Sequence, residues 1–234
     1  MNNLLSRSRA AVALVVVVGL SVTACQRQAE PVGNAGSSSA GNGAPGALVP
    51  LPGRESSAPA LTQKVSINMQ TTAGELVIEV YPEAAPNAAQ RFVELVKSGF
   101  FDDTPISRVV PGFVAQFGVN WREPHKAWEN RTFKDDTTYF ALERGTLAFA
   151  KAGPNTNSTQ VFINYAENNR LADPRFNFTV FGKIVSGMDA VDRFVQVGDP
   201  SGGLDQERLW SDGGAYLESL AVKPSMIERA VIAQ

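Results

Sequence analysis

Apolar and polar residues alternate along Val65-Ser66-Ile67-Asn68-Met69, and Leu76-Val77-Ile78-Glu79-Val80 repeats the strand signal a few positions later. A side-chain period of two sends successive residues to opposite faces of a sheet, so both segments read as strands. Thr72-Ala73-Gly74 between them reads as a hairpin turn. The period then changes. Ala89, Phe92, Val93 and Val96 recur at helical spacing, Pro86 suits the first helical turn, and Gly99 stops it. Further strands are predicted near 105–110, 113–118, 146–150, 160–164 and 178–185, and Gly187-Met188-Asp189 opens a second short helix ending before Gly198. Many strands with two helices fit a closed antiparallel barrel, which leaves no open edge. The pattern alone does not separate a barrel from a sandwich.

The first residues follow different rules. Arg7 and Arg9 form a basic region, Ala10 to Leu20 is an uncharged apolar run, and Val22-Thr23-Ala24-Cys25 ends it with small residues before a cysteine. The run is short for a membrane-spanning helix, which needs roughly 20 residues. Residues 1–24 therefore read as a signal peptide. The ending resembles the lipobox of bacterial lipoproteins, which implies that Cys25 is lipidated and becomes the mature N-terminus. Cys25 is the only cysteine, so no disulfide framework can form within the chain. Gln26 follows it, which by resemblance to enteric sorting rules points to the periplasmic face of the outer membrane.

Residues 26–62 are dominated by Gly, Ser, Ala and Pro, with only Arg27, Glu30, Arg54 and Glu55 charged. That composition buries too little apolar surface to offset ordering, so residues 25–62 read as a lipidated tether. As a flexible coil, the segment would span about 30–36 Å. Residues 63–234 suffice for one domain with a sizeable core. Removing residues 1–24 leaves 19 basic against 23 acidic side chains, a formal charge of −4. With no Lys/Arg cluster interleaved with aromatics, nucleic acid is not an expected partner.

Candidate chemistry concentrates in two segments. One is Arg108-Val109-Val110-Pro111-Gly112-Phe113-Val114-Ala115-Gln116; the other runs from Phe149-Ala150-Lys151-Ala152-Gly153-Pro154-Asn155 through Gln160-Val161-Phe162. They supply a guanidinium, two glutamine amides and several aromatics, but no obvious nucleophile, no His and no acidic pair. Rotation about a prolyl peptide bond asks for little more than this. No covalent bond breaks, yet the barrier is about 18–20 kcal/mol.

These segments resemble the signature of the cyclophilin-type peptidyl-prolyl isomerases, which contains a Phe-His-Arg-Val-Ile-Pro-Gly-Phe run and a later Gly-Pro-Asn-Thr-Asn run. The resemblance covers most of 64–197, including Thr179-Val180-Phe181-Gly182-Lys183-Ile184, and the tail through Gly214-Ala215-Tyr216-Leu217 looks like a bacterial subgroup. It implies an eight-stranded antiparallel barrel capped by two helices, with no metal or organic cofactor. It also implies that Arg108, Gln116 and Phe113 are catalytic. Val114, Ala150, Lys151, Gln160, Phe162, Leu171 and Phe178 would line the bound peptide. Val114 stands where methionine is usual, and Lys151, replacing asparagine, would add positive charge at the rim. Ile106-Ser107 stands where Phe-His is usual and Phe178 where a His or Tyr is common, so slower turnover is expected. The implied partners are proline-containing unfolded or flexible polypeptides, met by a monomer on a lipid anchor. The rival reading is a module that holds proline segments with little turnover.

Other chemistries find less. A Ser-His-Asp hydrolase would need His125, the only His, and no nucleophile elbow occurs. One Cys and one His exclude a zinc site of the usual type. Asp135-Asp136 reads as a solvated turn or helix cap, and His125 as exposed.

Overall fold

The computed structural model describes residues 47–233. The expected signal peptide, the expected lipidation site Cys25 and the expected tether up to residue 46 lie outside them. Eight strands form the fold: β1 (Val65–Thr71), β2 (Gly74–Val80), β3 (Thr104–Val110), β4 (Val114–Phe117), β5 (Thr146–Phe149), β6 (Val161–Asn164), β7 (Val180–Ser186) and β8 (Met226–Ile232). They close in the order β1-β2-β7-β5-β6-β4-β3-β8, with every pairing antiparallel. The expected barrel is the one observed.

Alternation dictates what fills it. Ile67 and Met69 of β1, Ile78 and Val80 of β2, Phe117 of β4, Phe149 of β5 and Ile163 of β6 share one core with Phe181 of β7. Helix α1 (Pro86–Lys97) packs against β7 and β8 and buries Ala88, Ala89, Phe92, Leu95 and Val96. The Phe92 ring lies 5.1 Å from Phe181 and 5.3 Å from Phe101. Ala85 at the N-cap supplies no side-chain bond to the helix. Asp136 supplies it instead from a distant loop, accepting the Asn87 and Ala88 N–H groups at 3.1 and 2.9 Å. The helix-cap alternative read for Asp135-Asp136 thus holds for Asp136.

The second predicted helix is a short one, α2 (Met188–Asp192), and a longer one follows it, α3 (Gln206–Ser219), which the apolar pattern does not announce. It is bent at Asp212, whose φ of −148° is not helical. Its Leu209 and Tyr216 join Val119, Val197 and Leu204 in a satellite cluster beside the barrel. Trp121 seats against Gly213, where a Cβ would come within 2.8 Å of the indole.

The tether reading fails from residue 47 onward. Leu48 is buried, the Leu51 N–H donates to the Tyr139 carbonyl, and the Ala141 N–H donates to that of Val49. Thr62 and Gln63 both donate to the Glu83 carboxylate. A low-complexity average conceals two leucines, Leu48 and Leu61, that find apolar partners on the barrel wall.

Candidate functional site

The site is built on the outer wall, from the residues that alternate with core residues on β3, β4, β5 and β6. The register between β3 and β4 shifts between Ile106 and Arg108, so Ile106 pairs with Phe117 and Arg108 with Gln116. Ile106 and Val109 both face the core, three positions apart. An extra residue in a strand reverses which face its neighbours take, and here it turns Arg108 outward. Ser107 is fully buried, with its hydroxyl donating to the Gln116 carbonyl at 3.2 Å.

Arg108 is only 8% exposed. Its Nε donates to the Ser201 carbonyl at 2.6 Å, and Nη1 donates to Gln116 Oε1 at 3.3 Å. Gln116 Nε2 donates in turn to Gln160 Oε1 at 2.7 Å. The three side chains expected to act together therefore form one chain of hydrogen bonds. Burial pulls the Arg108 guanidinium below its ordinary value. A guanidinium remains charged at any pH a protein survives.

The apolar residues meet beside this chain. Phe113, Val114, Ala150, Phe162, Leu171 and Phe178 belong to a single cluster separate from the barrel core. The rings of Phe162 and Phe178 lie edge to face at 5.6 Å, and the Arg108 guanidinium is 5.8 Å from the Phe113 ring centre. Phe113 follows Pro111-Gly112 in the β3–β4 turn, where Gly112 adopts a φ of +72° that a side chain would resist. The Phe113 carbonyl accepts from the Tyr165 N–H at 2.9 Å and from Asn168 Nδ2 at 3.1 Å. Asn168 also donates to Asn164 Oδ1, and Asn164 to Thr146. Asn168, at the head of the stretch 168–177, thus fixes Phe113. The stretch also delivers Leu171, in the 3-10 turn Asn169–Ala172, whose carbonyl accepts from the Phe178 N–H at 3.0 Å.

Lys151 does not supply charge at the rim. Its ammonium is turned inward, 2.8 Å from Asp135 Oδ2, and donates to the Asn177 carbonyl at 2.9 Å. Only 4% of the side chain is exposed, and the ammonium lies 5.5 Å from the Phe178 ring centre. Asp135, far from a solvated turn, also accepts from Asn157 Nδ2 and the Asn155 N–H. His125 is half-buried with its ring edge-on to Phe100, contrary to the expected exposure. Among the described residues, no group of His, Cys, Asp or Glu could hold a metal ion, and no helix is long and apolar enough to cross a membrane.

Two contributions escaped the sequence motifs. One is the Asn164–Asn168 pair beneath Phe113. The other is the turn Asp199–Gly203, whose Ser201 carbonyl holds Arg108; as sequence, Asp-Pro-Ser-Gly-Gly is any polar turn.

The same arrangement of chain occurs in known proteins. A crystal structure of a Cryptosporidium parvum cyclophilin type peptidyl-prolyl cis-trans isomerase is similar over 74% of this chain and 99% of its own, with a TM-score of 0.56 at 22% identity. Another, in the presence of the dipeptide Ala-Pro, gives 0.55 over 72% and 99% at 22% identity. These likenesses establish the fold. In sequence, the chain is 36% identical over 146 residues to a peptidyl-prolyl cis-trans isomerase of Acinetobacter baylyi, covering 60% of this chain and 77% of that one. It is also 36% identical over 136 residues to the peptidyl-prolyl cis-trans isomerase ppi1 of Schizosaccharomyces pombe, covering 55% and 83%. The family model described as cyclophilin type peptidyl-prolyl cis-trans isomerase/CLD matches residues 66–209, well over half of the chain. On barrel, motifs and relatives together, the chain belongs to the cyclophilin-type peptidyl-prolyl cis-trans isomerases.

Proposed function

We propose that this isomerase acts on X-Pro bonds of exported proteins in a bacterial envelope, with Arg108 as the group that lowers the rotational barrier. The carrying observation is the hydrogen-bonded chain of buried Arg108 and Gln116 with half-buried Gln160, beside the apolar cluster of Phe113, Val114, Phe162 and Leu171. As the prolyl C–N bond twists, amide resonance is lost and the nitrogen becomes pyramidal with a free lone pair. A donor aimed at that lone pair stabilises the twisted state more than either planar one, which is the condition for acceleration. The apolar wall favours the same state, because the twisted amide has less charge separation. Phe113 and Phe162 hold the proline ring, with Val114, Leu171 and Phe178 completing the wall. Gln160 and the backbone at Ala150 and Lys151 orient the peptide. No proton moves.

The rival reading, binding with little turnover, draws on the Ile106-Ser107 and Phe178 departures. Ser107 points into the protein, so an imidazole lost there takes no group away from the groove. A preorganised donor is worth about 2.7–4 kcal/mol, or roughly 10²–10³ in rate. Prolyl exchange measured by NMR on X-Pro peptides, with the purified full-length chain, should fall by about that factor in Arg108→Ala. Peptide binding without accelerated exchange would make the chain a proline-segment holder.

The envelope assignment rests on Arg7, Arg9, the run to Leu20 and Cys25. Lipidation of Cys25 would place the isomerase on the periplasmic face of a membrane, the outer one by the Gln26 pattern, as a monomer. Palmitate labelling tests it: label should enter the parent chain and be absent from Cys25→Ser. Equal labelling of both would end the lipoprotein reading.

A further inference from the structure

The Arg108 guanidinium is held unevenly. The Nη1 bond to Gln116 is long at 3.3 Å, whereas the Nε bond to the Ser201 carbonyl is short at 2.6 Å. The firmer anchor is therefore a backbone carbonyl on the turn Asp199–Gly203, more than ninety residues away in sequence. Asp199, Pro200, Ser201 and Gly202 are exposed, so burial does not hold the turn in shape. A carboxylate does. Asp199 Oδ1 accepts from the Ser201 N–H at 2.9 Å, the Ser201 hydroxyl at 2.8 Å and the Gly202 N–H at 2.6 Å. The Asp199 and Gly203 backbones exchange two further bonds of 2.8 Å.

The base of the turn is locked onto the strand that carries the arginine. The Leu204 N–H donates to the Ser107 carbonyl at 2.8 Å. Gly203 lies so close that a Cβ there would come within 2.6 Å of the Arg108 Cβ. Motion of Ser201 relative to β3 is thereby limited chiefly by Asp199, which makes three bonds to the turn, with Gln196 Nε2 adding one to the Pro200 carbonyl at 3.1 Å. Those same N–H and hydroxyl donors hold the Asp199 carboxyl below the usual carboxylate range.

We infer that Asp199 is a positioning residue for the reaction: by shaping the turn it aims the Ser201 carbonyl at Arg108 Nε and so fixes the plane of the guanidinium. With Nε and one Nη1 proton engaged, the remaining donors of the fork face the substrate in one orientation only. A misplacement of about 1 Å at a reacting group can cost on the order of 10²-fold in rate. Asp199 touches no substrate; it acts through Ser201 and Arg108. The inference rests on the isomerase reading of Arg108 given above.

The test compares Asp199→Ala, Asp199→Asn, Arg108→Ala and the double variant Asp199→Ala/Arg108→Ala in prolyl exchange, with kcat and KM separated. A second readout is the Arg108 Nε–H resonance and its protection from solvent exchange. Asp199→Ala should lower kcat by roughly ten- to hundred-fold with KM within about twofold. Asparagine keeps a side-chain oxygen able to accept the same turn bonds, so Asp199→Asn should recover most of the loss. In the Arg108→Ala background the Asp199→Ala change should cost nothing further, since there is no guanidinium left to aim. The Nε–H should lose protection in Asp199→Ala and regain it in Asp199→Asn.

An unchanged kcat and an intact Nε–H in Asp199→Ala would overturn the inference while leaving the isomerase reading standing. So would equal losses from Asp199→Ala in the two backgrounds, which would mark a general structural effect. If Arg108→Ala itself matches the parent, the isomerase reading fails instead, and the Nε–H protection alone decides whether Asp199 aims the side chain.

Discussion

Removing either partner of the Lys151–Asp135 pair should be unequally costly, and the structure says which way. The ions are 2.8 Å apart with side chains 4% and 14% exposed, so water screens them little. In Asp135→Ala, Lys151 keeps only the Asn177 carbonyl, while Asn157 Nδ2 and the Asn155 N–H lose an acceptor. Truncating one member of such a pair leaves an uncompensated buried charge, a loss of about 3–5 kcal/mol. In Lys151→Met, Asp135 retains both of its amide donors, and the thioether can still cover the Phe178 ring. The carboxylate loses its cation but keeps those donors, so a smaller cost of about 1.5–3 kcal/mol is expected there. Urea unfolding separates the two. With a slope near 2 kcal/mol/M, the midpoint should drop by about 1.5–2.5 M for Asp135→Ala and by about 0.8–1.5 M for Lys151→Met. Equal costs, or a larger one for Lys151→Met, would contradict this asymmetry, which follows directly from the polar groups that each change orphans.

Three further outcomes are expected. Asp136→Ala uncaps α1 and should lower stability by about 1–2 kcal/mol, seen as a melting temperature lower by roughly 2–8 °C; an unchanged melting curve would mean the cap contributes nothing. Leu48→Ala should destabilise the domain by about 2 kcal/mol in denaturant unfolding; no change would mean that residues 47–62 merely rest on the barrel. The Asp173 carboxyl, held at about 2 by its bonds from Arg175, contributes stability above the ordinary carboxylate value of about 3.9 and loses it as pH falls toward 2. Arg175→Ala removes the guanidinium bonds but keeps the backbone N–H bond to Asp173, so the carboxyl should rise part of the way toward that ordinary value by NMR, and a titration still near 2 would assign the shift to something else.

The strands legible in the sequence are those whose alternation the barrel respects, from Val65-Met69 to the β7 segment. Strand β8 reads Met-Ile-Glu-Arg-Ala-Val-Ile, with Glu228 and Arg229 adjacent and exposed where a period of two would bury one of them. Its pairing with β1 slips at Gln70/Thr71, which is why the pattern breaks. Helix α3 was hidden for another reason: Gly213, Gly214 and the non-helical Asp212 interrupt the helical spacing of Leu209, Tyr216 and Leu217. At the candidate site, side-chain identities in two motifs were enough to name residues that the fold brings together, Arg108, Gln116, Gln160 and the aromatic wall. What they could not show were the backbone partners. The Ser201 carbonyl has no signature, and Asn168 had no reason to be tied to Phe113 until the chain folded. Lys151 illustrates the converse: its charge was legible, but its direction depended on Asp135, sixteen residues earlier and in another loop.

The residues along β4 and β6 belong by turns to two volumes that share a wall but not a filling. Ala115, Phe117, Val161 and Ile163 answer to the barrel interior, while Val114, Gln116 and Phe162 answer to the groove. A change in groove chemistry therefore need not be repaid by repacking inside, and a change of core volume need not reshape the groove. Strands that serve as partition walls let selection on the groove and selection on folding act on neighbouring residues almost independently.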